Sequence, residues 1–335
     1  MKKYLKSIFL MVATGTLMIS CDSDDNDPQV PTSDENIVEV AVGSQDLTTL
    51  VAALQRADLV GALEADGNFT VLAPSNAAFE AFLAANDDFD SLEDIPVEIL
   101  QQVLLNHVIP GSNAALSSSD LAVAGSGYAS TLADGPSAGS KITTYFNTSS
   151  GVRFNGVSSV TTADIGASNG IVHIVDAVIP LPTVVTFATA DPNFSTLVSA
   201  LTELTPETDF VSLLSTPNGE TSTPFTVFAP VDTAFDKLDA IPEEELLTSI
   251  LAHHVITGSN VRAEDINDGD ISSATFEGDN LTFSVTGNGA ISITDGSGQT
   301  DINVILGNVQ AANGVIHALD TVMIPNTEEE VEEED

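Results

Sequence analysis

All five histidines of this 335-residue chain lie in segments that occur twice. They are His107 and His173 in the first half and His253, His254 and His317 in the second. Imidazole is the side chain best suited to acid-base chemistry near neutral pH and to metal ligation. A zinc centre needs three or four convergent nitrogen or sulfur ligands, often at short spacing. Here each segment brings one histidine and no cysteine, apart from the adjacent His253-His254, which would point to different sides of a helix. The apolar setting, Leu104-Leu105-Asn106-His107-Val108, instead predicts imidazoles bonded to backbone or carboxylate in a core. No metal and no cofactor are expected.

Other candidate chemistry is equally thin. A nucleophile elbow would read Gly-x-Ser-x-Gly after a strand, and Gly125-Ser126-Gly127 reads only as a loop. Asp236 with Asp239, and Glu243 to Glu245, read as acids on helix surfaces rather than a general acid-base pair. Asn267-Asp268-Gly269-Asp270 and Asp295-Gly296-Ser297-Gly298 read as turns, since neither has the glutamate that closes a calcium loop. No enzyme activity is expected. The lone Cys21 follows an apolar run from Ile8 to Ile19 and the basic Lys2, Lys3 and Lys6. That order, ending Leu17-Met18-Ile19-Ser20-Cys21, reads as a secretory signal with a lipidated cysteine, and the run is too short for an ordinary membrane span.

The elements that must position these residues are duplicated. Phe69-Thr70-Val71-Leu72-Ala73-Pro74-Ser75-Asn76-Ala77-Ala78-Phe79 recurs as Phe225-Thr226-Val227-Phe228-Ala229-Pro230-Val231-Asp232-Thr233-Ala234-Phe235. Each predicts a buried strand stopped by Pro74 or Pro230, then a helix whose first inward residue is Phe79 or Phe235. The segment around His107 recurs around His254, an offset of 254 − 107 = 147, and Asn169-Gly170-Ile171-Val172-His173 recurs as Asn313-Gly314-Val315-Ile316-His317, an offset of 317 − 173 = 144. Leu47, Leu50, Val51 and Leu54, repeated as Phe194, Leu197, Val198 and Leu201, predict a helix with one face inward. Pro96 and Pro242 suit the first turn of another helix, with acids near its positive end. Lys141 to Phe146, Val152 to Phe154, Leu281 to Val285 and Ile291 to Thr294 predict strands, with a hairpin turn at Thr286-Gly287-Asn288-Gly289.

Three ordered blocks, twice over, resemble the fasciclin-like domain, over about Asn36 to Pro325. The resemblance implies an α+β fold: two tandem modules, each a wedge of β-sheet with helices packed around it. It implies adhesion or binding rather than catalysis, and makes Pro74, His107, His173, Pro230, His254 and His317 motif residues of structural role. In animal members a tyrosine beside the central histidine belongs to an adhesion motif. The matching positions here are Asn106 and His253, so only the histidine half of that motif is kept.

Composition closes off some partners. A net charge of -41, from 49 acidic and 8 basic residues, excludes nucleic acid, whose phosphates need Lys and Arg. Aromatics at 5% with Trp 0 supply a sugar-stacking platform poorly. The expected organisation is a signal peptide at 1–20, a lipidated acidic tether at 21–35, domains at 36–182 and 183–326, and an acidic disordered tail at 327–335. Asp22 to Asp27 behind the cysteine resembles the export signal of surface lipoproteins, so the outer membrane and cell surface are the expected location. The expected function is an adhesion lipoprotein that recognises extracellular polysaccharide, matrix or a partner cell surface. A structural spacer of the envelope and a secreted hydrolase are the alternatives. Leu181-Pro182-Thr183 leaves little slack, so the two domains are expected in contact or at a restricted angle.

Overall fold

The structure is a computed structural model that describes residues 33–86, 88–112, 114–220 and 222–326. Cys21, the signal and tether, and the tail from 327 lie outside the described residues. Strands of the first copy are β1 (Phe69–Pro74), β2 (Val108–Pro110), β3 (Ser126–Asp134), β4 (Lys141–Asn147), β5 (Arg153–Phe154), β6 (Ser158–Ala167) and β7 (Gly170–Val175). Those of the second are β8 (Phe225–Pro230), β9 (Val255–Ile256), β10 (Thr282–Val285), β11 (Ile291–Thr294), β12 (Ile302–Ala311) and β13 (Gly314–Leu319). The hydrogen-bonded orders are β2-β1-β7-β6-β5-β4-β3 and β10-β11-β12-β13-β8-β9. In each, the central pair is parallel, with Leu72 opposite His173 and Phe228 opposite His317.

That pair is buried on both faces, which is why its sequence is a nearly continuous apolar run instead of an alternation, interrupted by the buried Thr70, His173, Thr226 and His317. In β1, Val71 and Ala73 face the helices, among Leu50, Leu54, Leu100 and Leu104. Leu72 faces the other way, into the wedge, with Ile109, Phe146, Phe154 and Ile179. β8 divides likewise: Val227 and Ala229 join the helical core, and Phe228 joins Phe283, Ile293 and Leu319. The wedge bends at the long strands β6 and β12, whose register shifts at Thr162/Ile165 and Leu306/Val309. At these bends Asp164 (φ 59) and Asn308 (φ 62) take the left-handed conformation that Asx residues tolerate best. The mixed α+β fold with two tandem wedges is the one expected.

Local expectations need three corrections. The inward face after the strand-helix corner starts one residue earlier, at Ala78 (1% exposed) and Ala234 (0%), before Phe79 and Phe235. Pro96 is the N-cap of helix Val97–Asn106, and in the second copy Glu243 is the N-cap of helix Glu244–His253, so neither proline lies inside the first turn. Ser126 and Gly127 belong to β3, so only Gly125, the helix cap at φ 76, is loop.

Candidate functional site

The six motif residues turn their chemistry inward, onto backbone. His107 caps helix Val97–Asn106; its Nδ1 lies 2.7 Å from the Val103 carbonyl and its Nε2 accepts the Ile179 N–H at 2.9 Å. His254 repeats this on the Ile250 carbonyl (2.7 Å) and the Met323 N–H (2.9 Å). Such partners require the Nδ1–H tautomer. Burial pushes both imidazoles from 6.5 down to about 4, against the smaller opposing pull of the carbonyl bond. A neutral ring with both nitrogens engaged has nothing left for a substrate.

His173 and His317 take the opposite tautomer. Nε2 donates to the Leu116 carbonyl at 3.0 Å in one copy and to the Val261 carbonyl at 2.9 Å in the other. The N–H groups of the same two residues donate to Thr70 Oγ1 (2.7 Å) and Thr226 Oγ1 (2.9 Å). One crossing segment per wedge is thus held at both of its backbone groups by side chains of the central strands. The copies part at the remaining nitrogen: His173 Nδ1 accepts the Asp164 N–H at 3.1 Å, whereas His317 Nδ1 is buried without a partner among the described residues. In compensation the His317 ring stacks on Phe228, centroids 5.4 Å apart, where the first copy has Leu72. Burial lowers the affinity of both rings for a proton.

Pro74 and Pro230 end β1 and β8, each opposite the last residue of its parallel neighbour, Val175 or Leu319. Ring closure at nitrogen removes a donor there, and the chain turns into the helix. Asn169 and Asn313, to which no sequence pattern assigns a role, are the third device. Asn169 accepts the Ile37 N–H (3.0 Å) and donates to the Leu63 and Ala65 carbonyls (2.7 and 2.9 Å). Asn313 does the same to Val184 (3.0 Å), Leu214 (2.8 Å) and Thr216 (2.9 Å). The following glycines admit no side chain, because a Cβ on Gly170 or Gly314 would sit 2.1 or 2.4 Å from the carbonyl oxygen of Phe69 or Phe225.

One cluster the sequence did not reveal forms around His253. Its ligand atoms and those of Glu277 and Asp279 lie within 4.8 Å of one another. His253 Nδ1 is 3.3 Å from Glu277 Oε2, and Nε2 accepts the Gly296 N–H at 3.2 Å. With Nε2 as acceptor, the neutral ring carries its proton at Nδ1, facing the carboxylate. A cation on Nδ1 would move that proton to Nε2, against the Gly296 donor, so the arrangement suits an internal hydrogen-bonded pair better than a metal. The two histidines do diverge: His253 reaches this sheet edge while His254 reaches Met323. No local spacing announces the cluster, since its members meet only across the fold. Asn267–Asp270 and Asp295–Gly298 are turns, with Asp270 Oδ2 accepting the Asn267 N–H (2.7 Å) and Asp295 Oδ1 that of Gln299 (2.9 Å).

Where the copies meet, the surface is built from residues outside the repeated blocks. Tyr128 and Tyr145 of β3 and β4 pack with centroids 5.1 Å apart, and Tyr128 and Phe187 of the second copy meet in a T-shaped arrangement with centroids 5.7 Å apart. The Tyr128 hydroxyl donates to Asp191 Oδ2 at 2.8 Å; burial first, then the charge of Asp191, raises its proton affinity well above the tyrosine norm. Thr143 Oγ1 donates to the Gln310 carbonyl (3.2 Å) and the Ala312 N–H to that of Pro182 (2.7 Å). Beside these contacts a cleft of about 350 Å³ opens between β3–β4 and β12, with Lys141 and Thr143 on one wall and Arg262, Asn308 and Gln310 on the other.

The fasciclin domain family matches residues 45–182 and 192–325. Protein sll1483 of Synechocystis sp. is 39% identical over 146 residues, 44% of this chain and 73% of that protein. The cell surface glycolipoprotein MPB83 of Mycobacterium bovis is 34% identical over 149 residues, 42% of this chain and 60% of its own length. Among solved structures, a FAS1 domain pair from the insect cell adhesion molecule fasciclin I aligns at 23% identity with a TM-score of 0.49, covering 83% of this chain and 97% of that one.

Proposed function

This chain belongs to the fasciclin domain family, and from that premise we propose that it is a surface-displayed binding protein, not an enzyme. It is read as a lipoprotein: 1–20 directs export, Cys21 carries lipid at the outer membrane, 21–35 is a tether, and 36–182 and 183–326 are the binding domains, followed by the acidic tail at 327–335. Its partner is extracellular polysaccharide, matrix or a neighbouring cell surface. The observation that carries the reading is the fate of the motif residues. Every nitrogen of His107 and His254, and both polar atoms of Asn169 and Asn313, are committed to internal backbone, so the shared residues act as scaffold. A relative named a cell surface glycolipoprotein supports the location. Two chains of lipid on Cys21 would anchor it stably, as a single acyl chain does not.

Retention of the full chain, displayed on vesicles through its lipid, on a panel of envelope polysaccharides and partner cells tests this reading. Binding is the expected result, lost into solution when Cys21→Ala removes the anchor. Turnover of ester or glycoside substrates without such retention would overturn it. The packed contact between the copies favours one further possibility, a stiff spacer, for which vesicles would bind nothing yet deletion of one domain would shorten the assembly it supports.

A further inference from the structure

We propose that the cleft between the two domains is a binding site for a short carboxylate-bearing saccharide, held through Lys141 and Arg262. The inference rests on the polysaccharide-binding function proposed above and adds to it a place and a ligand chemistry. At about 350 Å³ the cleft falls within the size range of small-ligand sites. Its walls are already fixed to each other by the Thr143–Gln310 and Ala312–Pro182 hydrogen bonds and the tyrosine contact, so closing on a ligand costs little ordering.

Charge singles out the same place. The chain holds 8 basic residues against 49 acidic, and two of those eight line this one cleft. Long-range repulsion from the rest of the molecule disfavours an extended polyanion, whereas one or two carboxylates on a short glycan need only share the local pair with Asp134 and Glu264, each bonded to it at 2.6 Å.

The spare hydrogen-bonding capacity is chiefly that of donors. Asn308 accepts the Ala263 N–H (2.8 Å) and donates to Glu264 (2.8 Å), and Gln310 exchanges bonds with Asn260 at 3.2 and 2.8 Å, so both amides are committed. Lys141 Nζ uses two of its three protons, on the Leu132 carbonyl (2.9 Å) and Asp134 (2.6 Å). Arg262 makes a 2.6 Å pair with Glu264 through Nη2, while its Nε is buried without a partner among the described residues. The guanidinium can therefore turn toward a ligand without giving up a bond at Nε. A site whose free donors sit on two cations suits the planar carboxylate of a uronic acid, which Arg can grip by two parallel bonds. Leu132 and Pro110 supply the apolar surface on which a sugar ring can lie.

Calorimetric titration of the full chain with a uronate trisaccharide, its methyl ester and an acidic peptide of equal charge tests the proposal, alongside Lys141→Gln, Arg262→Gln and the double variant. The expected result is binding of the uronate at least tenfold tighter than the ester or the peptide, a several-fold loss in each single variant and no measurable binding in the double. Unchanged hydrogen-exchange protection in Lys141→Gln would show that its loss is not one of fold. Equal affinity for uronate and ester, equal affinity for the peptide, or unaltered binding in the double variant would overturn the cleft assignment. If the double variant still holds polysaccharide or cells, only this inference falls. If the unaltered chain retains on no glycan or cell at all, the proposed function falls with it.

Discussion

The first copy gives both nitrogens of its wedge histidine a hydrogen-bond partner; the second leaves one bare and places a phenylalanine against the ring instead. A comparable exchange separates their helices. Helix Asn76–Ala84 has nine residues and a Ser75 cap that accepts the Ala78 N–H, while its counterpart Asp232–Phe235 has four and no side-chain cap. Helix Thr48–Arg56 is regular, yet the matching Ser195–Ser199 runs into a π-helical turn at Ala200–Leu204. What both copies keep is the set of bonds that tie distant backbone to the central strands. Helix length and ring environment can drift because neighbouring apolar contacts absorb the change, and the Phe228 stack stands in for one lost bond, whereas the bonds that both copies keep each satisfy a buried backbone group that is costly to leave unpaired.

The largest effect should fall where the copies agree. His107→Ala and His254→Ala each strip a carbonyl and an N–H of their buried partner and open a cavity, at an expected cost of about 3 to 5 kcal/mol apiece. Hydrogen exchange resolved by domain should report equal losses; a copy that tolerates the change would break the equivalence. Acid sharpens the same point. Each of these rings has its folded pKa at about 4 against 6.5, so its neutral form contributes stability that is present above pH 6.5 and is lost as pH falls toward about 4. The linked loss is roughly 3 kcal/mol per ring. Proton resonances of the two imidazoles should therefore stay untitrated down to about pH 5, and a midpoint near 6.5 would refute their burial in solution.

Where the copies differ, the asymmetry should be measurable. His173→Leu removes two hydrogen bonds and His317→Leu one, so the first should cost more by about 1 to 3 kcal/mol in urea unfolding. A reversed order would mean that the Phe228 stack outweighs the missing bond. The smallest effect belongs to the contact between the copies. Tyr128→Phe should cost about 1 kcal/mol by removing the bond to Asp191. Because the folded environment raises the Tyr128 pKa, that contribution is fully present below about pH 10 and is lost above it. Tyrosine absorbance should show Tyr128 ionising later than a free phenol, and only together with separation of the two domains.

The repeated blocks predicted their buried strands directly, since Thr-Val-Leu-Ala-Pro encodes an apolar run with a stop, and they predicted the fold through their resemblance to the fasciclin-like domain. Hairpin 282–294 was equally legible, because Thr286-Gly287-Asn288-Gly289 stands between alternating runs, and Gly289 takes φ 82 in that turn. Helix starts were misplaced by a residue or so: a proline beside a helix signals the boundary without fixing which side of it the chain caps. The His253 cluster was invisible, as Glu277 and Asp279 lie in an irregular stretch whose path depends on the sheet beneath it.

The sequence by itself determined the duplication, the acidic balance and the apolar setting of the motif histidines, because these follow from residue type, spacing and hydrophobic pattern, while the α+β wedges followed from the resemblance of the repeated blocks to the fasciclin-like domain. Only the tertiary structure decided which backbone groups those histidines hold, which tautomers they adopt, and that Lys141 and Arg262 face one cleft. Lys141 and Arg262, more than a hundred positions apart, carry no local signal of each other; their meeting is fixed by how the two wedges pack, through Tyr128, Tyr145 and Phe187, and that packing is a property of surfaces assembled from residues distant in the chain.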